Sequence, residues 1–116
     1  MFNFKSLLRD PKLLVSVETL KRAIDVSEAG VMVDVRTPEE YASGHIEKSI
    51  SLPMVELVLK IESFVPLKTT RIFCYCHTDN RSYEAAKTLR GMGYQLAYAV
   101  KGGIADWQKK GFPVVK

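Results

Sequence analysis

The densest chemistry in the chain lies in CYCHTDNRS, residues 74–82, where two cysteines, a histidine and an arginine fall within nine positions. Cysteine is a strong nucleophile once it is a thiolate, and thiolates form where positive charge or N–H groups surround the sulfur. Cys76 follows the apolar run RIFCY (71–75) and precedes a helical pattern that starts near Arg81. The residues between them, His77, Thr78, Asp79 and Asn80, must turn the chain sharply. Their backbone N–H groups, with those of the first helical turn, can converge on one anion. With the helix end and the Arg81 guanidinium alongside, Cys76 is expected to be an activated, accessible thiolate. Cys74 falls two residues earlier inside the apolar run, where cysteine serves as a small hydrophobe; the alternative is a resolving thiol that reacts with oxidised Cys76. A structural bridge between neighbours on one strand would be strained. A metal site from Cys74, Cys76 and His77 lacks the C-x-x-C spacing and a second ligand pair, since His45 is the only other histidine. No metal and no cofactor are expected.

The elements that must hold this segment are legible on either side. VMVDV (31–35), RIFCY (71–75) and QLAYAV (95–100) read as buried strands, and SISL (49–52) as a shorter one. Ser16 caps a helix over about 17–25 with Val17, Leu20 and Ile24 on one face. Thr37, Pro38 and Glu40 form a capping box with proline in the first turn, and Gly44 ends that helix. Pro53 opens a helix over about 54–63, where Val55, Val58, Leu59 and Glu62 fall at helical spacing. Further helices are expected over about 81–91, closed by Gly91 or Gly93, and over 103–110, stopped by Gly111. Strands alternating with helices imply an α/β fold with parallel strands and helices on both faces. In such sheets ligands sit at the carboxyl ends of the strands, where the cysteine segment falls.

A chain of 116 residues supports one domain, expected to span 1–116 with its core at about 15–115. A net charge of +4 is mildly basic, but the cations are scattered, with no basic run or aromatic platform, so nucleic acid is not an expected partner. Lys5, Arg9 and Asp10 interrupt the opening MFNFKSLLRDPK, leaving no apolar stretch of signal or membrane length. A membrane is therefore not expected as a partner, and the chain is expected to be cytoplasmic, where a free thiol survives.

At YCHTDNRSYEAAKTLRGMGY the sequence resembles the active-site loop and following helix of the rhodanese-like sulfurtransferases, in which four residues separate a cysteine from an arginine. DVRTPEEYASGHI (34–46) is similar to the family's upstream motif, and KGGIADWQKKGFPV (101–114) to its closing Gly-Gly-x-x-x-Trp helix. The resemblance implies a rhodanese-like fold, a five-stranded, mostly parallel sheet flanked by helices on both faces. It implies a ping-pong reaction in which Cys76 takes a sulfane sulfur from a small anionic donor such as thiosulfate. The persulfide then delivers it to cyanide or to a protein thiol. His77, Thr78, Asp79, Asn80, Arg81 and Ser82 would form the loop that binds substrate and persulfide. Two departures stand out. Asp79 replaces a frequent glycine, which implies a left-handed backbone at that position and a carboxylate that weakens binding of a dianionic donor. Lys48, Ser49 and Ser51 stand where the family commonly has Gly-Ala and Asn.

Asp34 and Arg36 read as supporting residues. Asp34, at a strand's carboxyl end, either accepts N–H bonds from the cysteine loop or acts as a plain cap. Arg36 and Glu40 are expected to tie the 34–46 motif together through an ion pair or hydrogen bonds, the alternative being a direct substrate contact. His45 and Trp107 read as packed residues, and Gly102 and Gly103 as a tight turn beside the loop. Two other functions compete: a binding or regulatory module without activity, and a cysteine-loop phosphatase or arsenate reductase. The latter enzymes place five residues between cysteine and arginine, and the shorter ring of four here suits a single sulfur.

Overall fold

The computed structural model describes residues 9–116. Of the opening segment MFNFKSLLRDPK, read as too interrupted for a signal or membrane stretch, residues 1–8 lie outside the described residues. No helix among the described residues is long and apolar enough to cross a membrane.

Five strands form one sheet: β1 (Leu14–Val15), β2 (Val31–Asp34), β3 (Ile50–Ser51), β4 (Ile72–Tyr75) and β5 (Ala97–Val100). They run in the order β1-β5-β4-β2-β3, and every ladder is parallel. An isolated antiparallel bridge joins His45 to Val115. The two apolar runs expected to be buried on both faces are central neighbours, with Val33 paired to Cys74 and Met32 to Phe73. Because side chains alternate along a strand, this register sends Val33, Ile72 and Cys74 to one face and Met32, Phe73 and Tyr75 to the other. Helices α3 (Met54–Phe64) and α4 (Asn80–Gly91) cover the first face with Leu57, Ile61, Ala85 and Leu89. Helices α1 (Val17–Asp25) and α5 (Gly103–Lys109) cover the second with Val17, Leu20, Ile104 and Trp107. Helix α2 (Pro38–Ser43) is short and lies beyond the end of β2. The expected α/β architecture, a five-stranded parallel sheet flanked by helices on both faces, is the one observed.

The local start signals act as read. The Ser16 hydroxyl accepts the Thr19 N–H at 3.0 Å. At Thr37 both halves of the capping box form, with Glu40 N donating to the Thr37 hydroxyl and Thr37 N to the Glu40 carboxylate. This box fixes where Glu40 points, a fact that matters for the site. Strand β1 has no counterpart in the sequence reading, since two residues after a 3-10 turn at Pro11–Leu13 are too few to show a period. Lys48, in place of a frequent glycine, holds the left-handed conformation at φ +72°. A lysine tolerates this less readily than glycine.

Helix α3 buries a different row from the one expected. Val55, Val58 and Leu59 are exposed, Leu59 to 87%, while Leu57 and Ile61 are 1% and 0% exposed and pack on the sheet. Both rows have helical spacing, and the sheet contacts only one. Leu57→Ala should therefore lower stability by about 2–5 kcal/mol. Leu59→Ala should stay within about 0.5 kcal/mol of the parent in urea denaturation, and equal losses in the two variants would reverse this assignment.

Candidate active site

Cys76 follows the last residue of β4, on the face covered by α4. Contrary to the expected accessible sulfur, the residue is only 2% exposed, because the sulfur lies at the floor of the loop rather than on its rim. Ser82, fully buried in the first turn of α4, donates its backbone N–H to the sulfur at 3.4 Å. The Ser82 hydroxyl lies at the same distance, 3.4 Å. The Cys76 thiol donates to that hydroxyl oxygen, which can donate in return once the sulfur is an anion, so one residue places two polar groups on the sulfur.

The rest of the loop is oriented from behind by α5. Ile104 N donates to Cys76 O at 2.9 Å, and Ala105 N to His77 O at 3.0 Å. In a trans peptide the carbonyl and the next N–H point in opposite directions. Drawing these two carbonyls toward α5 therefore turns the His77 and Thr78 N–H groups away from it, as a cradle for an anion requires. The close approach depends on Gly103, at φ +56°, where any Cβ would sit 2.1 Å from Thr78 O and 2.4 Å from Cys76 O. Trp107, buried at 1% with its indole N–H donating to Pro113 O, anchors α5 in the core. The Gly-Gly-x-x-x-Trp pattern thus positions the cysteine loop as well as closing the fold.

The rim carries the charge. Arg81 holds Glu40 through two hydrogen bonds, 2.8 Å and 3.1 Å. Hydrogen bonding to Arg81 is the main reason that the Glu40 carboxyl is pulled down to about 2, so the pair persists throughout the neutral and mildly acidic range. His77, Thr78 and Asn80 are exposed. Asp79 differs from expectation in two ways. Its backbone, at φ −150° and ψ 7°, is not left-handed. Its carboxylate is also engaged, with Arg9 Nη1 at 2.7 Å on one oxygen and Gly102 N at 2.9 Å on the other. Burial pushes the Asp79 carboxyl upward, but the Gly102 N–H and then Arg9 outweigh it and hold it below its ordinary value. Arg9 is marked in the sequence only as a charge in the opening segment, with nothing to tie it to the cysteine loop. It lies seventy residues away, and no local pattern marks it.

The supporting pair behaves as one unit. Asp34, fully buried, accepts from the Arg36 backbone N–H at 3.0 Å and from its guanidinium at 2.7 Å. Arg36 in turn donates to Gly44 O at 2.6 Å. Asp34 makes no hydrogen bond to the cysteine loop, so of its two expected roles it fills the local one, turning the chain out of β2. His45 is packed as read, stacked on Tyr41 with ring centroids 3.6 Å apart. Val35, Arg36, Pro38, Pro53, Met54 and Arg81 help line a groove of about 290 Å³ beside the loop. Cys74 is fully buried, and desolvation first, then the neighbouring Cys76, push its thiol up to about 12. It is therefore a protonated core residue at neutral pH. Both cysteines are free. Among the described residues no three His, Cys, Asp or Glu side chains gather as metal ligands.

A cysteine loop at the carboxyl edge of a five-stranded parallel sheet, backed by a Gly-Gly helix start, defines the class of this α/β fold. The family model for the rhodanese-like domain matches residues 16–110, and the chain belongs to that family of sulfurtransferases. A sulfurtransferase of Allochromatium vinosum is 34% identical over 101 residues, covering 87% of this chain and 92% of that protein. The thiosulfate sulfurtransferase PspE of Escherichia coli is 33% identical over 84 residues, covering 72% and 80%. The rhodanese-like domain of the Alr3790 protein from Anabaena, solved in solution, superposes with a TM-score of 0.80 at 29% identity, covering 89% of this chain and 78% of that one. Other curated relatives are longer, and the chain spans 51% and 49% of two of them.

Proposed function

We propose that the chain is a sulfurtransferase domain that carries a sulfane sulfur on Cys76. The Cys76 thiolate attacks the outer sulfur of thiosulfate, the S–S bond of the donor breaks, and sulfite leaves with the electron pair. The resulting persulfide anion gives its terminal sulfur to cyanide, forming thiocyanate, or to a protein thiol, and the thiolate returns. No proton needs to move when thiosulfate and cyanide react, so no general base is required. What the site must supply is stabilisation of negative charge on sulfur.

The observation that carries this reading is the placement of the Cys76 sulfur against Ser82 N–H at the floor of a four-residue loop whose carbonyls at 76 and 77 are held away. The short ring favours a sulfur over a phosphoryl group. The relative named as a thiosulfate sulfurtransferase supports thiosulfate as donor. Arg81 faces this donor already bound to Glu40, so the guanidinium attracts a dianion only as part of a neutral pair.

Intact-mass measurement after treatment with thiosulfate tests the reading. One added sulfur, mapped to Cys76 and removed by cyanide, is expected. A chain that takes up no sulfur from thiosulfate or from a persulfide donor would be a binding module instead.

A further inference from the structure

We propose that Arg9 is a positioning and specificity residue of the cysteine loop: it cancels the Asp79 charge and keeps that carboxylate turned away from the sulfur, so that anionic reagents are admitted. The proposal rests on the reading of Cys76 as the reactive sulfur. An aspartate on this rim is otherwise a liability, since a carboxylate beside a cradle for anions repels its own substrates.

The geometry shows how the charge is contained. Arg9 Nη1 donates to Asp79 Oδ1 at 2.7 Å, and Nη2 donates to Asp79 O at 3.2 Å and to Asn80 Oδ1 at 3.1 Å. The second Asp79 oxygen accepts Gly102 N–H at 2.9 Å. Arg9 is itself seated, with its guanidinium carbon 4.7 Å from the centre of the Tyr83 ring, whose hydroxyl accepts the Asp10 N–H at 2.7 Å. The Arg9 and Asp79 side chains are 22% and 19% exposed, so water screens this pair less than one on an open surface. Asp79 therefore joins Arg9, the cysteine loop and the Gly102 turn that leads into the N–H groups of Ile104 and Ala105. Arginine suits the task because its planar fork serves the carboxylate, a carbonyl and an amide oxygen at once while stacking on a ring. Lysine cannot do all of these.

The test compares two alkylating reagents at Cys76, neutral iodoacetamide and anionic iodoacetate, in the full chain, with the site of labelling assigned by peptide mapping. Each reacts by displacement of iodide and formation of a thioether, so the rate ratio isolates the effect of charge at the loop. In Arg9→Ala the iodoacetate-to-iodoacetamide ratio should fall about three- to tenfold relative to the parent, because Asp79 is left uncompensated. The double variant Arg9→Ala/Asp79→Asn should return the ratio to within about twofold of the parent, and Arg9→Lys should give an intermediate value. The KM for thiosulfate should follow the same order, with kcat changing less. Alkylation does not depend on sulfur transfer, so a protein that transfers no sulfur from thiosulfate still reports on Arg9. An unchanged ratio in a folded Arg9→Ala protein would overturn the proposal, as would a fall that Asp79→Asn does not reverse.

Discussion

Cys76→Ser is expected to reduce sulfur transfer to the rate of buffer alone while the protein stays folded. The hydroxyl is close in size to the thiol, and the Ser82 N–H and hydroxyl that face the sulfur at 3.4 Å remain to satisfy the new oxygen. Leaving that buried oxygen unpaired would cost about 1–3 kcal/mol, so the partners explain why stability should change little. Chemistry fails for a separate reason: an alcohol is not ionised at neutral pH, and oxygen does not hold a sulfane sulfur. Cys74→Ala provides the contrast. Its thiol is fully buried and pushed up to about 12, so its loss should leave activity and cost roughly 1–2 kcal/mol from the small cavity. Thiosulfate:cyanide assays with thermal melts separate the two effects. Retained activity in Cys76→Ser would remove that residue from the mechanism, and an inactive, folded Cys74→Ala would restore the resolving-thiol role.

The parts of this molecule legible in the sequence are those governed by neighbours in sequence. The apolar run at 31–33, the Thr37–Glu40 capping box and the cysteine loop each carry their signal within a few residues. Helix α3 shows where such signals fail. MVELVLKI has apolar residues on two rows, and helical spacing cannot say which one the sheet will cover. One clue was present, since the expected row ended on Glu62, whereas the buried row of Leu57 and Ile61 contains no charge. Asp79 failed for a deeper reason. Its expected backbone rests on the glycine it replaces, and its expected effect on a dianionic donor treats the carboxylate as unpaired. The partners are Arg9 and Gly102, from opposite ends of the described chain, brought in by β1 and β5 pairing side by side. Asp34 shows a milder form of the same limit: its position at the end of a strand was legible, but only the structure shows the Arg36 guanidinium folding back onto it. Long-range pairing sets these contacts, and no short window contains it.

Gly103→Ala is expected to be more damaging than its size suggests, because one methyl group meets three consecutive carbonyls of the cysteine loop. An added Cβ would lie 2.1 Å from Thr78 O, 2.4 Å from Cys76 O and 2.6 Å from His77 O, all backbone atoms that cannot swing aside. The residue also sits at φ +56°, a conformation disfavoured for any side chain. Either the start of α5 moves or the loop does. If α5 retreats, Trp107 loses its seat in the core. If the loop retreats, Cys76 O and His77 O lose the N–H groups of Ile104 and Ala105, and the N–H groups on the other side of those peptides no longer converge. We expect a loss of about 3 kcal/mol or more in stability, together with a fall in activity that persists well below the melting temperature. Gly111→Ala is the control. It too has positive φ, at +79°, but its added Cβ would meet nothing within 4 Å. It should cost about 1–2 kcal/mol of backbone strain and leave the rate of sulfur transfer unchanged. If the two variants lose equal stability and Gly103→Ala remains fully active when folded, the close approach of α5 to the loop is not what shapes the cradle.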